Sequence, residues 1–313
     1  MLVNLNSILP KARRGKYAVG AFNINNLEIA QAIIDAAVEL KSPVILQTSE
    51  GAINYAGMDY LAMIAHVAAE SSNVPVVFHL DHGKNYDLVM TAINSGLYSS
   101  VMYDGSHHPL KENIKLTKQI VKAAHKKEMT VEAELGRIFG KEDNVSVEEK
   151  EVAFTDPREA AEFVEETGCD ALAVSIGTAH GANKFKRKPK LDIKRLEAIK
   201  KKVKVPLVLH GASAVSKIAL TRLHKQCKRM KDCGRLEDAI GVPDGQTKKA
   251  IAAGISKINV DTDLRIAFTV AVRETLLNDH NVFDPRKIIG PARDLMTKTV
   301  KDKMKLLGCA GKG

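Results

Sequence analysis

The stretch Val76-Val77-Phe78-His79-Leu80-Asp81-His82-Gly83 decides the fold. It begins as a short β-branched and aromatic run, the composition of a buried strand. It then ends abruptly in ionisable residues and a glycine. Pro75 stands just ahead of it, where a strand tolerates proline. The same plan recurs along the chain: an apolar run, a polar end, then a longer amphipathic segment. With Val76–Leu80, the candidate strands are Tyr17–Phe22, Val44–Thr48, Ser99–Tyr103, Thr130–Glu134, Ala171–Ile176, Leu207–Leu209 and Lys257–Val260.

The segments between them read as helices. Asn26–Leu40 places Leu27, Ala30, Ile34 and Val38 on one face at helical spacing. Asp59–Glu70, Tyr86–Ser95, Leu110–Lys127, Pro157–Thr167 and Asp192–Lys201 follow the same logic. Asp156-Pro157 is a helix start, an N-cap followed by proline at the first helical position. Gly290–Leu307 reads as one further helix. Strands that alternate with helices form a parallel sheet, open or closed. No Gly-x-Gly-x-x-Gly follows any strand, so a dinucleotide fold has no support. Eight strands favour closure. The expected fold class is therefore α/β, a (β/α)8 TIM barrel, as a single catalytic domain over residues 1–313. Two long loops interrupt it, Gly136–Phe154 after strand 5 and Thr178–Leu191 after strand 6. Long loops inside a compact domain are usually functional or disordered.

The bulk properties narrow the function. The hydrophobic fraction is 45% with no Trp, so Ala, Val, Ile and Leu build the core. The net charge is +10, which is read as a lysine-rich surface or as a field that draws in anionic substrates. Basic runs such as Lys184–Lys190 lack the aromatic surface or motif of a nucleic-acid binder. Four cysteines in a chain of 313 residues are not a disulfide framework. Residues 1–14 lack the apolar core of a signal peptide, and no stretch approaches a membrane span. A cytoplasmic protein is expected.

In such a barrel the active site lies at the C-terminal ends of the strands. Every strand end here is polar: Asn23, Ser49, Asp81-His82-Gly83, Asp104, Glu134, His180-Gly181, His210-Gly211 and Asn259-Val260-Asp261-Thr262. One His-Gly pair is usually a turn. Three, at the ends of strands 3, 6 and 7, converge when the barrel closes. His82, His180 and His210 then supply the three imidazoles of a catalytic metal site with a position left open. Asp104 and Glu134 form a second divalent site or orient the histidines from behind. Strand parity places His79 with Asp81. The loops after strands 7 and 8 suit a phosphate. There Gly211 permits close backbone approach, Ser213 offers donors, and a helix starts near Asp263 with free N–H groups. Lys184 and Arg265 supply charge.

Together these motifs resemble the class II, metal-dependent fructose-bisphosphate aldolases. The stretches that carry the likeness are Val19–Asn23, His79–Gly83, Val131–Gly136, Gly177–Gly181, His210–Ser213 and Asn259–Asp263, with Phe283–Lys287 and Ile289–Arg293 behind them. The resemblance runs through nearly the whole chain in the family's order. It implies reversible cleavage of fructose 1,6-bisphosphate to dihydroxyacetone phosphate and glyceraldehyde 3-phosphate through a metal-stabilised enediolate. It implies Zn²⁺ on His82, His180 and His210, with Asp104 and Glu134 at the alternate metal position. Asp81 would be the acid at the aldehyde oxygen and Glu142 the proton-abstracting base. Asn23, Ser49, Gly181, Lys184, Gly211, Ser213, Asn259, Asp261 and Thr262 would surround the substrate. Arg265 would reach the other phosphate from a neighbouring subunit of a homodimer or homotetramer. A monovalent cation, Na⁺ or K⁺, would lie near Gly181 and Gly211. The strand-5 loop keeps one glycine of the family's two, which leaves the base between Glu142 and Asp143. Three rivals remain: a tagatose-bisphosphate aldolase, a Schiff-base aldolase using Lys257, and a basic anion- or RNA-binding barrel.

Overall fold

The apolar runs do form strands, and they bury both faces. In the computed structural model, every residue of β1 (Val19–Asn23), β2 (Val44–Thr48), β4 (Ser100–Tyr103), β5 (Thr130–Leu135), β6 (Ala171–Val174), β7 (Leu207–Leu209) and β8 (Ile255–Val260) is buried. β3 (Val76–Gly83) is buried except at His82. Burial on both faces explains the continuous apolar runs, because one face meets the barrel interior and the other meets helices. The eight strands are parallel and close in the order β1-β8-β7-β6-β5-β4-β3-β2. The (β/α)8 barrel expected from the sequence is the fold. The structure describes residues 1–142, 145–147, 153–180, 190–213, 217–230 and 241–313.

The predicted helices are present, with several additions. Leu5–Gly15 is a helix that the sequence reading left unassigned. Leu5, Ile8, Leu9 and Ala12 form its buried stripe, a legible helical spacing interrupted by Pro10. It lies across the N-terminal end of the barrel. The Leu5 N–H donates to Thr130 Oγ1 at 3.1 Å, and Arg13 donates to the carbonyl of Val203 at 2.8 Å. The opposite end is thus left for the site. The last helix begins at Pro285 rather than Gly290, because Asp284 caps it by accepting from the Arg286 N–H at 3.0 Å. That is the same Asp-Pro start as at Asp156-Pro157.

The two long loops contain a small sheet that the sequence reading did not foresee. Phe139–Glu142 pairs antiparallel with Val145–Val147 and parallel with Ala179–His180. These strands are too short for a periodic signal to show in sequence. They tie the segment after β5 to the segment after β6. Cys169 and Cys309 are buried free thiols, whereas Cys227 is disulfide-bonded. The cysteine count excluded a scaffold of crosslinks; it did not exclude one. Among the described residues, no helix is long and apolar enough to cross a membrane.

Candidate active site and metal centre

The site is built in two layers of side chains inside the barrel. The lower layer holds His79 from β3, Glu132 from β5 and Lys257 from β8, all fully buried. Two residues further along the same strands stand Asp81, Glu134 and Asn259. The period of two in a strand keeps each pair on one face. Parity is therefore right for His79 and Asp81. His82 would be expected to face outward. Instead the β3–β4 register shifts between Leu80 and Gly83, and His82 takes φ 47°. This local break turns His82 inward beside Asp81.

His210, at the end of β7, joins the layers. Its Nε2 lies 2.7 Å from Glu132 Oε1 and its Nδ1 lies 2.7 Å from His82 Nε2. His82 Nδ1 lies 3.3 Å from Asp104 Oδ2. Each ring thus commits its outer nitrogen to a carboxylate, and a carboxylate only accepts. The two inner nitrogens then face each other as lone pairs. Such an arrangement calls for a proton or a cation between them. Glu134 adds to the demand: its Oε2 is buried without a hydrogen bond and lies 3.7 Å from both His82 Nδ1 and His210 Nδ1.

Charge around this point is unbalanced. Burial pushes the Glu134 carboxyl well above its usual range, and neighbouring Asp104 pushes it further. Asp104 is also buried, but His82, Lys84 and Ser106 outweigh that burial and hold its carboxyl below the usual range. Burial lowers the His210 imidazole, and His82 lowers it further. Imidazoles and carboxylates together suit a borderline or hard divalent ion. Two groups have their ligand atoms within 4.8 Å of one another: Asp81, His82 and His210, and His82, Asp104 and Glu134. His82 belongs to both. The residues fit a divalent metal.

Asp81 is held by three amides. Asn23 Nδ2 donates at 3.2 Å, Gln47 Nε2 at 2.9 Å and Asn259 Nδ2 at 2.8 Å. Of the other predicted residues, Ser49 is buried and caps the helix Glu50–Ala56 through its hydroxyl. Gly211 has φ 61°, and a Cβ there would meet the Ala179 carbonyl oxygen at 2.6 Å. That close approach requires glycine. Ser213 is buried beside it. Asp261 precedes the helix Thr262–Asn278 without capping it through its side chain, and its carbonyl accepts from the Leu264 N–H at 2.9 Å. Arg265 pairs with Asp261 of its own chain at 2.8 Å. The backbones of Glu142 and His180 are in the small sheet, and their side chains lie outside the described residues, as do Asp143, Gly181 and Lys184.

Sequence reasoning missed Gln47, Ser100 and the role of Glu132. Glu132 lies in a quoted motif, and its alternation with Glu134 around Ala133 was the signal that both face inward. Lys257 was considered only as a Schiff-base nucleophile. It is fully buried and ion-paired with Glu132 Oε2 at 2.8 Å.

Comparison with known proteins agrees with this geometry. The family model for fructose-bisphosphate aldolase class-II matches residues 3–312. The fructose-bisphosphate aldolase of Thermus caldophilus is 50% identical over 312 residues, covering 100% of both chains. The Helicobacter pylori enzyme of that name is 45% identical over 313 residues, again covering 100% of both. Among solved structures, the YdjI aldolase of Escherichia coli K12 superposes with a TM-score of 0.79 at 33% identity, over 100% of this chain and 99% of that one. The Campylobacter jejuni fructose-bisphosphate aldolase shares the fold, with a TM-score of 0.76 at 24% identity over 100% and 97%. A divalent site at the mouth of a closed barrel and likeness over the full length together place the chain in the class II fructose-bisphosphate aldolase family, metal-dependent lyases.

Proposed function

We propose that the chain cleaves D-fructose 1,6-bisphosphate reversibly to dihydroxyacetone phosphate and D-glyceraldehyde 3-phosphate. The observation that carries this reading is the facing pair of imidazole nitrogens of His82 and His210, 2.7 Å apart beside Asp81. His82, His210 and His180 would hold Zn²⁺, with Asp104 and Glu134 as an alternate or second divalent position. The ion supplies Lewis-acid polarisation of the substrate ketone. Asp81, fixed by its three amide donors, gives a proton to the aldehyde oxygen during condensation and takes it back during cleavage. Glu142 is the candidate base for the carbon-bound proton of the triose phosphate. Gly211, Ser213, Asn259, Asp261, Thr262, Gly181 and Lys184 bind the dihydroxyacetone phosphate end, with Asn23 and Ser49 on the substrate side. A monovalent cation would be held near Gly181 and Gly211.

The chain acts as one catalytic domain, 1–313, in the cytoplasm. The exposed apolar stripe of Tyr60, Met63 and Val67, with Tyr55 beside it, supports assembly as a homodimer or homotetramer. Arg265 would then serve the second phosphate across that assembly. The decisive experiment is a coupled cleavage assay on fructose and tagatose 1,6-bisphosphates, with EDTA and with Zn²⁺ restored. The expected result is cleavage of the fructose ester that is lost with EDTA and regained with Zn²⁺. Activity that survives EDTA and is lost on borohydride trapping at Lys257 would sink the metal reading. Equal turnover of both esters would overturn the substrate preference.

A further inference from the structure

Lys257 has no part in the chemistry above, yet it sits at the centre of the buried network. Its Nζ lies 2.8 Å from Glu132 Oε2 and donates to Asn259 Oδ1 at 2.8 Å. Each contact is the first link of a chain that ends at a reacting group. On one side, Glu132 Oε1 meets His210 Nε2 at 2.7 Å. On the other, Asn259 Nδ2 donates to Asp81 Oδ1 at 2.8 Å.

Both chains have a fixed polarity. An ionised carboxylate only accepts hydrogen bonds, so His210 must carry its proton on Nε2 and leave Nδ1 bare toward His82. An amide next to an ammonium must turn its oxygen toward it. That leaves the Asn259 NH₂ for Asp81. The flipped amide would set NH₂ against NH₃⁺ and a carbonyl against a carboxylate. The neighbouring His79 Nδ1 lies 2.9 Å from Ser100 Oγ, which in turn donates to the Thr130 carbonyl.

We propose that Lys257 is the positioning residue of this site: through Glu132 it sets the metal-binding face of His210, and through Asn259 it aims Asp81. This rests on His210 being a metal ligand and Asp81 the acid. A lysine in this role is spent on one ion pair and one hydrogen bond and is buried one layer beneath the substrate. It is not a nucleophile.

The test uses the whole chain. Lys257→Met or Glu132→Gln alone strands the other charge, so the informative variant is the double change Lys257→Met/Glu132→Gln, which leaves the interior neutral. Expected results are native circular dichroism, Co²⁺ affinity weakened about 10–100-fold, an altered visible Co²⁺ spectrum, and a fall in kcat with little change in KM. Wild-type Co²⁺ affinity, spectrum and kcat in the double variant would overturn the proposal. A second measurement needs no variant of the network. The ¹⁵N signals of the histidines in the metal-stripped wild-type chain should show His210 protonated on Nε2; protonation on Nδ1 overturns the proposal whether or not the variants fold. A wild-type chain that binds Co²⁺ but cleaves neither bisphosphate overturns the aldolase reading alone, and affinity and tautomer still decide this one. A chain that binds no divalent ion overturns both.

Discussion

Glu132 and Glu134 stand on the same strand, two residues apart, both buried and both turned into the barrel. Their surroundings treat them oppositely. Burial would raise the Glu132 carboxyl, but Lys257 and His210 outweigh it and hold it well below the usual range. Glu134 has His82 and Lys84 nearby, but burial and Asp104 outweigh them and drive it upward. The lower layer neutralises itself; the upper layer gathers imidazoles and carboxylates that fit a divalent cation. A charge that is internally balanced maintains shape, and one left unbalanced at a mouth recruits a ligand.

This contrast is open to direct attack. The largest effect should follow removal of the residue common to both possible metal groups. His82→Ala should abolish divalent-metal retention, read by elemental analysis, and drop cleavage below detection. A purified variant that keeps a stoichiometric ion would break the upper half of the comparison. Next, Glu132→Gln should cost about 3–5 kcal/mol in denaturant unfolding, because it strands the Lys257 ammonium in the interior. The same change two residues on should behave differently. Glu134→Gln keeps the size and shape of a carboxyl that burial and Asp104 drive above its usual range, so it should cost within about 1 kcal/mol yet weaken metal binding by at least about 10-fold. Titration of both variants with Co²⁺ alongside their unfolding curves checks the pair; equal losses in both measurements would erase the distinction. Ser100→Ala removes the hydroxyl that partners His79 and donates to the Thr130 carbonyl, and should cost about 1 kcal/mol with metal affinity unchanged. The smallest effect should be at Cys169. Burial pushes its thiol up to about 12, with the Thr167 hydroxyl pulling the other way. Mass spectrometry after iodoacetamide at neutral pH should find it unmodified in the folded chain and modified in urea.

The upper layer was legible in the sequence and the lower one was not. Polar residues that end apolar runs are conspicuous, so His82, His210, Asp104 and Glu134 could be picked out by position alone. Glu132 and Lys257 lie within the runs, where one charged residue reads as an interruption of a strand. Their meaning depends on each other, across strands 5 and 8, and a distance of 2.8 Å between residues so far apart in sequence is a product of barrel closure. The inward placement of His82 was legible only in part. Its His-Gly signature marked it, but the register break that brings it inward is a property of two strands together. The small sheet over the long loops escaped notice because strands of two to four residues carry no period. The ion pair of Arg265 with Asp261, one helical turn back, is a pairing that spacing alone allowed.

The left-handed backbone of His82 has a bearing on how this protein withstands change. A side chain in that region costs about 1–2 kcal/mol relative to glycine. Glycine ordinarily loses to alanine on grounds of chain entropy. At this position the ranking should invert, with His82→Gly unfolding at a higher temperature than His82→Ala although neither holds an ion. If His82 holds the metal as proposed, the sturdiest occupant of position 82 would be one that cannot hold it, and stability and turnover would pull against each other at a single φ angle.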